Sequence, residues 1–191
     1  MDGDAELSPE IARAPRSSGE GSGAEALRRV IVGCVIAAVG AAGLGVRLGL
    51  TPDTAPQLEM TTVRGERLRL SDLRGDPVLI VFWASDCGPC IREIPELVRM
   101  DRELRAHGLH VIAVAMAYDL PSRVLSLTAS AGVSYRVILD LGGRIAAAFG
   151  QIRAVPTAVL IGPDGVILDR VAGALDFARL RDQLLPMLRD P

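Results

Sequence analysis

Cys87 and Cys90 stand two residues apart in the run Cys87-Gly88-Pro89-Cys90, and two thiols at that spacing have two established chemistries. On a helix a three-residue step places both sulfurs on one face, one turn apart. They can then close a disulfide with little rearrangement, and the pair becomes a reversible two-electron switch. Alternatively the pair is half of a zinc site, for which His107 and His110 follow at a spacing superficially like that of a zinc finger. The flanking sequence favours the redox use. The preceding run VLIVFW, residues 78–83, is unbroken apolar and reads as a strand buried on both faces. Pro89 suits the first turn of a helix, where its missing N–H costs nothing. Cys87 therefore falls at a strand-to-helix junction, where free backbone N–H groups and the positive end of the helix dipole stabilise a thiolate. The two histidines read as ordinary residues at a helix end and a strand start.

The rest of the region beyond Leu50 supplies elements to hold this junction. Residues 57–70 alternate polar and apolar in two short runs about Arg64 and Gly65, which predicts a hairpin, and Ser71 reads as the N-cap of a short turn ending at Gly75. Helical spacing follows from 88 to 107, a second strand from 109 to 116, a helical stretch from Pro121, and a third strand from 134 to 139. A short helix is expected at 142–149. Strands at 157–162 and 166–171 are joined by the turn Pro163-Asp164-Gly165. The chain closes with an amphipathic helix over 174–188. Parallel βαβ units followed by an antiparallel hairpin and a helix make an α/β fold: a mixed sheet with helices on both faces, with the N-terminal β-hairpin as an extension.

The chain has 191 residues, 49% of them apolar and 3% aromatic, with a formal net charge of -2. Neither a basic excess nor a base-stacking platform is present, which excludes nucleic acid as an expected partner. All 21 basic residues are Arg, and neither Lys nor Asn occurs, so there is no N-glycosylation acceptor. Three cysteines, Cys34 being the third, form no disulfide framework. Residues 1–27 are rich in Gly, Ser, Pro and acidic side chains and read as a disordered tail. From Val30 to Val46 no charge interrupts the chain, with Arg28 and Arg29 before the run and Arg47 after it. Counted on to Leu50, with Arg47 snorkelling, the run is long enough for one transmembrane helix over 28–50. The two leading arginines keep the tail in the cytoplasm and put residues 51–191 outside. An uncleaved anchor is expected, a cleaved signal peptide being the alternative.

The segments FWASDCGPC, Pro95 after the pair, and AVPTAVLIGPDG from Ala154 resemble the thioredoxin superfamily. The longer run APQLEMTTVRGERLRLSDLRGDPVLIVFWASDCGPCIREIPEL is similar to its membrane-anchored TlpA/ResA-type branch, bacterial thiol-disulfide oxidoreductases. The resemblance spans about residues 55–189. It implies a thioredoxin-like fold with a redox-active Cys87–Cys90 disulfide and no cofactor or metal. Cys87 becomes the exposed nucleophile and Cys90 the resolving thiol. Pro156 matches the family's cis-proline facing the disulfide, Glu93 an acidic position beside the site, Gly88 and Pro89 the central dipeptide of a reducing pair, and Trp83 a wall of the site. Two positions depart from thioredoxin itself. Val81 replaces a buried acid, so proton transfer needs Glu93 or water, and Asp86 replaces an aromatic residue, where a carboxylate disfavours the neighbouring thiolate.

The function implied is reduction of substrate protein disulfides outside the cytoplasm, at the bacterial inner membrane, in c-type cytochrome maturation. The substrate would be apocytochrome c or its maturation factors, and the electron donor a membrane dithiol relay of the CcdA or DsbD kind. A disulfide oxidase or isomerase, or a reductase for copper-site proteins, is the runner-up. A peroxiredoxin-like peroxidase fits less well, because such enzymes carry Thr three residues before the reactive cysteine and this chain has Ala84. A copper chaperone of similar fold generally spaces its cysteines by three residues rather than two.

Overall fold

The computed structural model describes residues 27–35 and 52–189. Two compact units divide at Thr51 and Pro52. In the first, residues 27–35 form a helix, α1, whose side chains, Cys34 among them, are exposed. It takes in Leu27, Arg28 and Arg29; the rest of the expected tail and of the 28–50 span lies outside the described residues. Among the described residues no helix is long and apolar enough to cross a membrane.

The second unit carries the sheet. Its elements are β1 (Glu59–Thr61), β2 (Arg67–Arg69), β3 (Val78–Trp83), α2 (Gly88–Leu104), β4 (His110–Ala115), α3 (Pro121–Ser130), β5 (Arg136–Leu139), α4 (Arg144–Ala148), β6 (Thr157–Ile161), β7 (Ile167–Ala172) and α5 (Phe177–Leu184). A five-stranded sheet runs β5-β4-β3-β6-β7. β4 is parallel to β3 and to β5, whereas β6 lies antiparallel to β3 and to β7. This is the expected thioredoxin-like mixed sheet.

Strand periodicity divides one apolar run between two cores. Leu79, Val81 and Trp83 of β3 pack on one face with Cys90, Ile94 and Leu97 of α2, Val124 of α3 and Leu180 of α5. Val78, Ile80 and Phe82 pack on the other with Met60 and Leu68 of the hairpin and Ile145 and Phe149 at α4. Phe149 meets Phe82 edge-to-face, with ring centroids 5.7 Å apart. Because helices or the hairpin cover both faces, β3 has no solvent side and reads as an unbroken apolar run.

The extension is tied to the sheet's β5 edge. β1 and β2 pair antiparallel, Val63 donates its backbone N–H to the Val137 carbonyl (2.8 Å), and Thr62 bridges to Ile138. These bonds occupy backbone groups an edge strand would leave open. At the far end of the chain, Gly165 adopts a φ of 74° in the turn between β6 and β7, and its N–H reaches the Gly162 carbonyl at 2.8 Å. A side chain there would displace the mobile end of Arg74, but it is the left-handed backbone that requires glycine.

Two expectations need correction. Ser71 is no N-cap: the 3-10 turn spans Leu70–Leu73 behind Arg69, and the Ser71 hydroxyl donates to Asp72 (3.2 Å). Starting two residues earlier lets the turn bury Leu70. The terminal α-helix begins at Phe177, because the Asp176 carboxylate accepts the N–H groups of Ala178 and Arg179 (both 3.1 Å) and fixes the start.

Candidate active site

Cys87 is the N-cap residue of α2, and Gly88 and Pro89 open its first turn. The Cys87 and Cys90 sulfurs are joined in a disulfide, with Cα atoms 5.3 Å apart. The Cys90 backbone N–H donates to the Cys87 sulfur at 3.2 Å, so a helix N–H already points at the atom that carries charge in the reduced state. The two sulfurs differ in access. Cys90 is 3% exposed and packs within the core, whereas Cys87 is only half-buried beside exposed Asp86, Gly88 and Pro89. An incoming group can reach one sulfur of the pair.

Around this junction β3 and β6 set the register. Phe82 pairs with Thr157, so the next step along each strand places Pro156 beside Trp83, at the sheet end from which the Cys87 loop leaves. The Val155–Pro156 peptide bond is cis, and Pro156 is buried. Trp83 is 4% exposed, and its indole N–H has no hydrogen-bond partner among the described residues. Val81 sits between Ala113 and Ala158 with no polar atom to offer.

Glu93 lies one turn beyond Cys90 on α2 and is 7% exposed. Its Oε1 accepts the Leu175 backbone N–H at 2.8 Å, while Oε2 is buried without a partner among the described residues. Burial pushes the carboxyl above its ordinary range; the Leu175 bond and the Arg92 guanidinium oppose that shift without cancelling it. A carboxyl in this state holds a proton more readily than a solvated one, which suits a proton donor and acceptor near a thiol pair.

Sequence reading missed the group that holds the loop. Asp119, in the turn after β4, accepts the Ser85 backbone N–H at 2.5 Å and its hydroxyl at 2.6 Å. Cys87 in turn donates its N–H to the Ala84 carbonyl at 3.1 Å. The residues leading into the nucleophile's position are thus clamped from a second loop 34 positions away in sequence. No local motif signals such a contact. Neighbouring Tyr118 is exposed; partial burial, then Asp86 and Asp119, raise its phenol above the usual range.

The histidines stand elsewhere. His110 pairs with Val78 at the start of β4, and His107 precedes it, so both lie at the opposite end of β3 from the Cys87 loop. Five strand steps separate those ends, roughly 16 Å. No zinc site can join the cysteines to these histidines, and no metal-binding cluster occurs among the described residues.

A thioredoxin-like sheet that presents a disulfide at a helix N-terminus, beside a cis-proline, defines a thiol-disulfide oxidoreductase. Residues 51–170 match the AhpC/TSA family, and the chain belongs to it. It is 28% identical over 130 residues to the thiol-disulfide oxidoreductase ResA of Bacillus subtilis, covering 68% of this chain and 72% of that protein. With ResA of Halalkalibacterium halodurans the identity is 30% over 123 residues, covering 64% and 69%. A solved thioredoxin-family thiol:disulfide interchange protein from Chlorobium tepidum matches with a TM-score of 0.65 at 25% identity, over 71% of this chain and 97% of that one. The enzyme is a thiol-disulfide oxidoreductase of the ResA type.

Proposed function

We propose that the chain is a membrane-anchored reductase of protein disulfides that works through Cys87 and Cys90 on the outer face of the bacterial inner membrane. The observation that carries the site assignment is the asymmetry of the pair: an accessible, N–H-bonded Cys87 sulfur covalently joined to a buried Cys90. In the reduced enzyme the Cys87 thiolate attacks a substrate disulfide. A mixed disulfide forms, and one substrate sulfur leaves as thiolate. Cys90 then loses its proton and attacks the Cys87 sulfur, which closes the Cys87–Cys90 disulfide and releases the second substrate thiolate. The substrate gains two electrons and two protons, and the enzyme returns to the dithiol when a donor supplies two of each. Glu93 takes the Cys90 proton, since Val81 leaves no acid in β3. Pro156 and Trp83 flank the docking substrate chain. No cofactor takes part.

The likeness to ResA proteins and the charge-free run 30–46 between arginines support anchoring, with residues 51–191 outside the cytoplasm. The substrate class is the cysteine pair of apocytochrome c or of its maturation factors, and the donor is a membrane-embedded dithiol relay. Replacing Cys87 by Ser abolishes exchange with a disulfide substrate, while Cys90→Ser accumulates mixed disulfides resolvable by non-reducing electrophoresis. Undiminished exchange in Cys87→Ser would refute the assignment.

A further inference from the structure

Two short turns meet beside the nucleophile. The first, 84–87, is closed by the Cys87 N–H on the Ala84 carbonyl at 3.1 Å and carries Asp86. The second, 116–119, is closed by the Asp119 N–H on the Met116 carbonyl at 3.0 Å and carries Tyr118. The second turn is braced at both ends against the residues that lead to Cys87. Met116 donates its N–H to the Trp83 carbonyl at 3.0 Å, and the Asp119 carboxylate takes both bonds from Ser85. Asp86 and Tyr118 flank that bonded pair, one on each turn, and both are exposed, Tyr118 by 60%. The apolar surface continues into exposed Leu120.

The charges at this junction are one-sided. Asp86 and Asp119 form no ion pair among the described residues, and only Asp119 is occupied by hydrogen bonds. Arg92, the basic residue nearest to Cys87 in sequence, lies over Gly88 instead, where a Cβ would stand 3.5 Å from its guanidinium. The field of Asp86 reaches the Tyr118 phenol, which partial burial and the two carboxylates keep in its neutral form. An unpaired carboxylate neighbouring an aromatic face is the chemical complement of a guanidinium or ammonium group. Because the bonds through Ser85 and Trp83 hold the turns together, little ordering is left to be done when such a group arrives.

On the reading that Cys87 exchanges with a protein disulfide, we infer that Asp86 and Tyr118 form a subsite for a cationic side chain, Arg or Lys, immediately flanking the attacked cysteine of the substrate. Asp86 directly precedes the nucleophile, so a substrate sulfur in contact with Cys87 brings its neighbouring residue to this junction. The ring of Tyr118 takes the flat or apolar part of that side chain and Asp86 its charge. An acidic residue at the same substrate position meets two carboxylates and is turned away.

The test uses the reduced full chain in zwitterionic detergent and three synthetic peptides, each with a single cysteine capped as its 2-pyridyl disulfide. They are alike except for Arg, Gln or Glu next to that cysteine. Attack by the Cys87 thiolate on the peptide sulfur joins the two and expels pyridine-2-thiolate, which is followed by its absorbance. Each rate is divided by that of the same peptide with dithiothreitol, which removes the peptide's own reactivity. The expected order is Arg, Gln, Glu, with Arg ahead of Gln roughly tenfold and the margin shrinking as salt is raised. Asp86→Asn and Tyr118→Leu each reduce the margin to about threefold, whereas Tyr118→Phe keeps it because the ring remains. Asp86→Arg reverses the order in favour of Glu. These comparisons are between peptides on one thiolate, so a change in the thiolate's own reactivity cancels, and release from the Gln peptide verifies that each variant is folded. Equal normalised rates in wild type, or a margin untouched by both Asp86→Asn and Tyr118→Leu, would overturn the subsite while leaving exchange through Cys87 intact. No release from any peptide would overturn the exchange reading itself, and the subsite with it.

Discussion

Replacing Glu93 with Gln separates the carboxyl's charge from its structural bond. The wild-type carboxyl accepts the Leu175 N–H through Oε1, a bond that Gln retains, and buries Oε2 with no partner among the described residues. Burial raises its pKa in the folded protein, so folding favours the protonated form. Glu93 therefore contributes most to stability below the ordinary carboxylate pKa of about 4.3, and that contribution is lost as pH rises through the raised folded value. Leaving a buried polar group unsatisfied costs about 1–3 kcal/mol, more when it is charged. The oxidised Glu93→Gln chain is thus expected to be more stable than wild type at neutral pH by on the order of 1–2 kcal/mol. The advantage shrinks toward zero near pH 4, where wild type is itself largely neutral. Urea unfolding of both proteins at the two pH values, in matched detergent, measures it. Exchange activity falls in the same variant, because Gln cannot carry the proton. A variant less stable than wild type by the same amount at both pH values would refute the reasoning, since the carboxylate would then be a net stabiliser.

Other perturbations test the remaining joints of the site. Asp119→Ala removes both bonds to Ser85, slows exchange and destabilises the oxidised protein by about 1.5–3 kcal/mol in urea unfolding, whereas Asp119→Asn keeps an acceptor and loses less. Asp86→Asn removes a negative charge next to the nucleophile, favours the thiolate and makes the pair more oxidising, read by equilibration with glutathione. Phe149→Ala opens a cavity against Phe82 and costs about 3–5 kcal/mol in denaturant titration, with the disulfide's chemistry unaltered.

What the chain discloses in one dimension follows the range of the interactions involved. Val78–Trp83 is legible because both of its faces are buried, and the Cys87–Cys90 junction is legible because capping, proline placement and sulfur spacing all lie within a few residues. Glu93 was found by its place in a family motif; the bond that holds its Oε1 comes from Leu175, 82 positions away. Asp119 left no mark in any local pattern, since its hold on Ser85 exists only after the sheet brings distant loops together. Ser71 misled because its type suits a cap, while burial of Leu70 decided where the turn begins.

The central claim, a reductase working through Cys87 and Cys90, is tested most directly by the redox state of that pair in growing cells. Acid quenching, alkylation with a mass tag and electrophoresis of the membrane fraction report it. The account predicts a mainly reduced pair that becomes oxidised when the membrane dithiol relay is deleted. A pair oxidised throughout and indifferent to the relay would contradict it and identify a disulfide donor instead.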